Sequence, residues 1–465
     1  MTDSPNPIAP LEILRRLHGA AIILLALAGW LALGGGGTAQ PPTDRVEFVW
    51  AGAVTTDSVR VNARLLSDST TVRLHVSPFA DLHAPLLSGF YTATLGLNNR
   101  VVSIPMAGLT PDTHYYYAIE SGGVVDTNHI GQFRTFPQGA ASFTFAAGSC
   151  AATGSNHAVF ATIRQQNPLF FLHMGDMHYS NIAVNNRDLY RAAYNTVLAA
   201  PNQADLYRNV PLVYMWDDHD YGPNNSDSTA PGRQAARLTY QEYVPHYPLV
   251  AGTGDVPIYQ AFSVGRVRFI VTDSRSERTP YTAPDNASKT MLGAAQKAWF
   301  KQELLDSNGT YPLIVWVNTL PWIGTTGDDG WHRYTTERRE LANFIKANHI
   351  AGLLMLSGDA HMLAIDDGTH SDYADGGGAG FPVFHAAALD RNGSVKGGPY
   401  SEGAYPGGGQ FGLVTVTDTG GSVITVTLSG RNASNQEIVG YTFTVTVPAP
   451  PPPLPLSYYL PLILK

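Results

Sequence analysis

Between residues 45 and 135 apolar and polar side chains alternate. Val59, Val61, Ala63 and Leu65 interleave with Arg60, Asn62 and Arg64, and Val72, Leu74 and Val76 interleave with Thr71, Arg73 and His75. A period of two turns one face of a strand toward a core and the other toward water, so this stretch predicts half-buried β-strands. After Pro137 the pattern changes. Mostly apolar runs of the buried-strand type occupy 143–147, 169–174, 212–216, 267–272, 313–318 and 353–357, with helix-like stretches such as 292–305 and 335–347 between some of them. Short buried strands alternating with helices predict an α/β layered domain, whose sites fall at the strand ends. Strands return at 411–418, 423–429 and 441–447. We expect them to complete this domain's sheets rather than to build another domain.

The two ends of the chain read differently. Arg15 and Arg16 precede an uninterrupted apolar run over 19–33, followed by Gly34 to Gly37 and Thr38-Ala39-Gln40. A positive start, a short apolar middle and a small-residue exit are the parts of a secretory signal, so 1–40 is read as a signal peptide or a retained N-terminal membrane anchor. The expected location is therefore exported, extracellular or at the cell envelope, by a twin-arginine or general secretory route, with attachment to a membrane through this segment if it is kept. Residues 448–456 form a proline-rich spacer before a short apolar tail at 458–464, read either as a sorting or docking element or as a disordered end.

Composition narrows the classes. A chain of 465 residues allows about two to four domains. Lys and Arg number 29 against 37 Asp and Glu, a net charge of −8. With no basic block, a dedicated nucleic-acid binder is not expected. A single cysteine excludes any intramolecular disulfide framework. A monomer acting on a small ligand is the expectation.

Chemistry-bearing residues gather behind the apolar strands. They are Gly148-Ser149-Cys150, Gly175-Asp176-Met-His178-Tyr179, Trp216-Asp217-Asp218-His219-Asp220 with Asn224 and Asn225 just beyond, Asn318, and Ser357-Gly358-Asp359-Ala-His361. One Asp at a strand end is usually a turn or cap residue. Three carboxylates flanking a histidine behind a buried strand would repel one another without a cation, and five such ends in one domain point to metal ligation. Cys150, an unpaired thiol in a chain read as exported, is either a small buried apolar group or a thiolate ligand.

In order and spacing, these motifs resemble the PhoD-type alkaline phosphatases and phosphodiesterases, a branch of the calcineurin-like metallophosphoesterases. Thr272-Asp273-Ser-Arg275, Met291-Leu-Gly with Gln296 and Trp299, and Asp329-Gly-Trp331 with Tyr334 and Glu337-Arg338 agree with that family's pattern. The resemblance covers roughly residues 44–447. It implies an α/β fold for 140–447, a four-layer metallophosphoesterase β-sandwich flanked by helices. It also implies an N-terminal all-β domain over 44–137, resembling a fibronectin type III sandwich of about seven strands, with its tyrosine corner in the 108–119 segment.

The resemblance further implies two metal positions sharing Asp176. Cys150, Asp176, Tyr179 and His361 would ring one, a thiolate, phenolate, carboxylate and imidazole set suited to Fe(III). Asp176, Asp218, Asn318 and Asp359 would ring the other with oxygen donors, suited to Ca²⁺, or else Mg²⁺ or Mn²⁺. Asp217 would be a further cation ligand or a support behind the ligands. His219 would be the catalytic acid or phosphate contact, with Asp220 orienting its imidazole. Asn224, Asn225, Arg275 and Arg338 are the candidates for phosphate contacts, the two arginines being equally readable as internal ion pairs with Asp273 and Glu337. His178 is read as a residue on the rim. The function implied is an exported phosphoesterase acting on phosphomonoesters and phosphodiesters. The alternatives are a phospholipase-D-like diesterase acting on lipids and a non-catalytic cell-surface module.

Overall fold

The computed structural model describes residues 45–325 and 329–447. The predicted signal segment at 1–40 and the spacer and tail at 448–465 lie outside the described residues. No helix among the described residues is long and apolar enough to cross a membrane.

Two large sheets carry the molecule. The first has nine strands in the order Glu437–Thr446, Val423–Asn432, Gln410–Thr417, Phe143–Gly148, Phe171–Met174, Leu212–Met215, Val46–Gly52, Ser58–Leu65 and Val101–Ala107. The second has seven, in the order Gln260–Val264, Val267–Val271, Leu313–Val317, Leu353–Ser357, Val383–Ala386, Met362–Asp366 and Ala404–Pro406. At the centre of each sheet four neighbouring strands run parallel: those starting at Phe143, Phe171, Leu212 and Val46, and those starting at Val267, Leu313, Leu353 and Val383. These central strands are buried along almost their whole length. Burial on both faces is why they read as continuous apolar runs instead of alternating ones.

The sheets share one apolar core in which Phe145 of the first meets Phe269 of the second edge to face, ring centroids 5.3 Å apart. Helices Ala294–Ser307 and Thr335–Ala347 cover the outer face of the second sheet, burying Phe300, Leu304, Leu341 and Ile345 with Ile314, Trp316 and Met355. Helices Ala158–Gln165, Arg187–Leu198, Pro201–Asn209 and Arg233–Tyr243 join the core of the first sheet. The C-terminal strands extend the first sheet through Gln410–Thr417, which pairs antiparallel with Phe143–Gly148.

The N-terminal region holds nine strands, and its layout differs from a self-contained sandwich. Six form a separate sheet built on Thr70–Ser77 and His114–Ser121. The other three, Val46–Gly52, Ser58–Leu65 and Val101–Ala107, continue the nine-stranded sheet, because Val46–Gly52 pairs in parallel with Leu212–Met215 at Gly52 and Leu212. Glycine permits that join. A Cβ at residue 52 would sit 2.5 Å from the Leu212 carbonyl oxygen and 2.7 Å from that of Pro245. The corner in the 108–119 segment forms, with the Thr110 N–H donating to the Tyr115 hydroxyl at 3.0 Å.

Candidate metal centre

Parallel strands deliver their carboxyl ends to one edge of each sheet, and the chemistry-bearing residues sit there. Cys150 follows Phe143–Gly148, Asp176 follows Phe171–Met174, and Asp217 and Asp218 follow Leu212–Met215. Asn318 follows Leu313–Val317, while Asp359 and His361 follow Leu353–Ser357. Cys150, Asp176 and Asp359 all hold left-handed backbone conformations, with φ of 65°, 54° and 57°. Gly175 makes the approach of two of these tips feasible. Its φ is 93°, and a Cβ there would lie 2.5 Å from the Asp217 Cβ and 2.6 Å from the Asp217 amide nitrogen.

The donors fall into three overlapping groups: Cys150 with Asp176 and His361, Asp176 with Asp218 and His219, and Asp217 with Asp218 and Asp359. Within each group the donor atoms lie within 4.8 Å of one another. Asp176 belongs to two of them, the position of a bridging carboxylate. Tyr179 joins the first group through its hydroxyl, 3.1 Å from His361 Nε2. Asn318 is fully buried at the neighbouring strand tip, its Oδ1 accepting from the Ser274 hydroxyl at 2.6 Å and its Nδ2 donating to the Leu320 carbonyl at 2.6 Å.

The hydrogen bonds fix which histidine atoms face the cluster. His361 Nδ1 lies 2.7 Å from the Asn392 carbonyl oxygen, which can only accept. The proton therefore sits on Nδ1, and Nε2 offers its lone pair to the cluster, the arrangement usual for a ligating histidine. His219 is set the same way. Its Nδ1 lies 2.6 Å from Asn181 Oδ1, and the Asn181 amide is oriented by its Nδ2 donating to the Tyr179 carbonyl at 3.1 Å. This corrects the expected role of Asp220. Its carboxylate accepts the backbone N–H groups of His178 at 2.9 Å and Asp217 at 3.1 Å, closing the first turn of the Asp218–Tyr221 helix. Asn181 orients the imidazole instead.

The electrostatics suit cations. Burial, then the charges of Asp218, Asp217 and Asp220, push the Asp176 carboxyl well above the carboxylate range. Burial pushes Asp217 up to about 8 despite the opposing Arg275 charge, and Asp220 up to about 7. Burial and the negative charge of Asp176 raise the Cys150 thiol, and burial with the charges of Cys150 and Asp176 raises the Tyr179 phenol. Asp218 is the exception. Burial acts to raise it, but the Arg275 charge and the Asn225 N–H, which donates to Oδ2 at 2.5 Å, leave it lowered. Asp217 Oδ2 is buried without a hydrogen-bond partner. Ionised thiol, phenol and clustered carboxylates at this density need positive charge, so the donor set fits metal ions.

Both arginines expected to clamp phosphate are engaged elsewhere. Arg275 is fully buried. Its Nε pairs with Asp217 Oδ1, one Nη donates to Asp329 Oδ2 at 2.5 Å, and the other stands 3.8 Å from Asp218 Oδ1. Its ionic partners are thus Asp217 and Asp329; Asp273 instead accepts its backbone N–H at 3.0 Å. Arg278 shares Asp329 at 2.5 Å and donates to the carbonyls of Asn225 and Ser226, tying the loop behind Asp218 in place. Arg338 donates to the carbonyls of Trp322 and Gly324 at 2.7 and 3.0 Å and stacks on Tyr373. Glu337 accepts the backbone N–H groups of Met291 and Leu292. Asn224 is exposed, whereas the Asn225 backbone serves Asp218 and Arg278. His178 is fully buried against Tyr194 rather than on the rim.

Sequence reasoning passed over three residues. Asn181 gave no signal beyond its nearness to Tyr179. Arg391 and Lys396 were the more visible, two cations in a glycine-containing stretch directly behind a buried strand. Lys396 Nζ reaches both carboxylate oxygens of Asp359 at 2.7 and 2.8 Å.

Comparison with known proteins gives the family. The chain is 24% identical over 310 residues to alkaline phosphatase D of Bacillus subtilis (strain 168), a match that covers 56% of this chain and about half, 53%, of that protein's length. A solved structure of PhoD superposes with a TM-score of 0.71 at 19% identity, covering 89% of this chain and 92% of that one. The profile of the PhoD-like phosphatase family matches residues 143–402, more than half of the chain and every donor residue above, so the chain belongs to the PhoD-like phosphatase family.

Proposed function

We propose that this protein is an exported, metal-dependent phosphoesterase that hydrolyses phosphomonoesters and phosphodiesters. The observation that carries the reading is Asp176, shared between a soft donor group and an oxygen-rich one. Cys150, Asp176, Tyr179 and His361 would hold Fe³⁺. Asp176, Asp218, Asn318 and Asp359, with Asp217 beside them, would hold Ca²⁺, or Mg²⁺ or Mn²⁺ in its place. When bound, such cations supply the Lewis acidity that turns water into a nucleophile at neutral pH and neutralises charge on phosphoryl oxygens. Export rests on the residues before position 41.

The chain's own residues then have definite tasks. His219, with Nδ1–H held by Asn181, keeps Nε2 for the substrate. Protonated there, it donates to a non-bridging phosphoryl oxygen or passes that proton to the departing alkoxide. Its backbone N–H, 3.0 Å from Asp218 Oδ1 and 3.3 Å from Asp176 Oδ1, holds the two carboxylates in register. Arg275 and Arg278 fix the Asp217–Asn225 loop through Asp329.

The test is hydrolysis of nitrophenyl phosphate and bis-nitrophenyl phosphate before and after thorough chelation, with iron and calcium restored. Activity should vanish on chelation and return with the metals. Undiminished hydrolysis after metal removal, or full activity in Asp176→Ala, would refute the proposal.

A further inference from the structure

The donor cluster is rich in carboxylates, which repel a phosphate ester, and both arginines expected to receive that ester are engaged elsewhere. The connection after strand Val383–Ala386 supplies what is missing. Its residues are pinned to the donor-bearing strands: Asp390 Oδ1 accepts the Ala152 N–H at 2.5 Å, the Asn392 carbonyl accepts from His361 Nδ1, and the Ser394 N–H donates to the His361 carbonyl at 3.0 Å. Of its two cations, Lys396 is spent on Asp359. Arg391 is not. It forms no ion pair with any described residue, and its Nε is buried without a hydrogen-bond partner. Its guanidinium carbon lies 4.1 Å from the ring centroid of Tyr179, and the same ring lies 4.1 Å from the His219 imidazole.

We propose that Arg391 is the substrate-binding cation of this site, its unspent guanidinium N–H groups gripping non-bridging oxygens of the phosphoryl group while the Tyr179 ring holds it in position. This rests on the phosphoesterase reading above. A guanidinium stacked on a ring keeps its donors free, is weakly hydrated, and matches two phosphate oxygens at once.

Inorganic phosphate is the probe, titrated by calorimetry into the metal-loaded wild type and Arg391→Met, with metal content measured on the same samples and KM and kcat taken on nitrophenyl phosphate. Phosphate affinity should fall roughly 10- to 100-fold, the loss of a charged hydrogen-bond partner. KM should rise by a similar factor, kcat should change less, and metal content should stay at the wild-type value. Arg391→Gln is a second uncharged variant with the same expectation, should the first fail to fold. Unchanged phosphate affinity, or a loss that follows a loss of metal, would overturn the proposal. A wild type that turns over no phosphate ester defeats the phosphoesterase reading. A wild type that turns over beside a variant that binds phosphate equally well defeats only the role of Arg391.

Discussion

Replacing Arg275 with methionine separates two roles that the sequence left open. The side chain is fully buried, pairs with Asp217 and Asp329, and faces Asp218. Methionine fills comparable space but strands those carboxylates. Removing one partner of a buried ion pair costs about 3–5 kcal/mol. Two features pull toward the lower end: Arg278 still holds Asp329, and Asp217, already raised to about 8, can take up a proton. We expect a loss of about 3 kcal/mol. With an unfolding entropy of about 2.1 cal/mol/K per residue over roughly 400 residues, that is a fall of about 4 °C in melting temperature. Urea and thermal unfolding of the chelated protein measure it, with kcat and KM taken on the metal-loaded protein. A phosphate clamp would behave differently, raising KM and leaving stability almost untouched. A stability loss within error, accompanied by a large rise in KM, would refute the structural assignment of Arg275.

Three further outcomes follow from the same contacts. In the metal-free protein Asp217 and Asp220 bind protons more tightly folded than unfolded, so stability should fall as pH rises from about 4 toward 7 and 8, by up to about 1.4 kcal/mol per pH unit for each group; urea midpoints across that window measure it, and a rise with pH would contradict the burial argument. Asn181→Ala frees His219 Nδ1 and should lower kcat about 10-fold or more, most for alkyl phosphates with poor leaving groups, while Asn181→Asp keeps the acceptor and most of the rate; equal losses in both variants would exclude the orienting role. Gly175→Ala forces a methyl group against Asp217 at a φ of 93° and should cost roughly 2–5 kcal/mol by thermal unfolding; a variant as stable as the parent would show the backbone is freer than these contacts imply.

Much of the site was legible because its signal is local. An apolar run followed by a short polar cluster marks a strand tip, and tips from parallel strands in facing sheets converge whatever lies between them. That is how Cys150, Asp176, Asp218, Asp359 and His361 could be nominated together, and they do share groups. Partner choice among charged residues was not legible. Arg275 and Asp329 are 54 positions apart, and neither the Asp273 nor the Glu337 pairing expected from sequence proximity is formed by the arginines. The orienting of His219 failed for a similar reason. Asp220 is one residue away, but it caps the start of its own short helix, and a side chain 38 positions upstream does the work. In the N-terminal region the alternation found Ser58–Leu65 and Thr70–Ser77, two of nine strands where about seven were expected. It could not show that Val46–Gly52, buried at all but one position, has a neighbour on its second edge.

That second edge makes residues 45–137 something other than an attachment. Val46–Gly52 joins Leu212–Met215 at the start of the strand that launches Asp217 and Asp218, through the pair Gly52 and Leu212, and its Val49 and Trp50 lie in the core shared with Leu212 and Tyr214, so cutting the chain near residue 137 would bare that core and the sheet edge beside Leu212. The leading segment cannot be exchanged for an unrelated module as a linker-joined domain can. Its seating is part of the core behind the strand that carries two of the carboxylates.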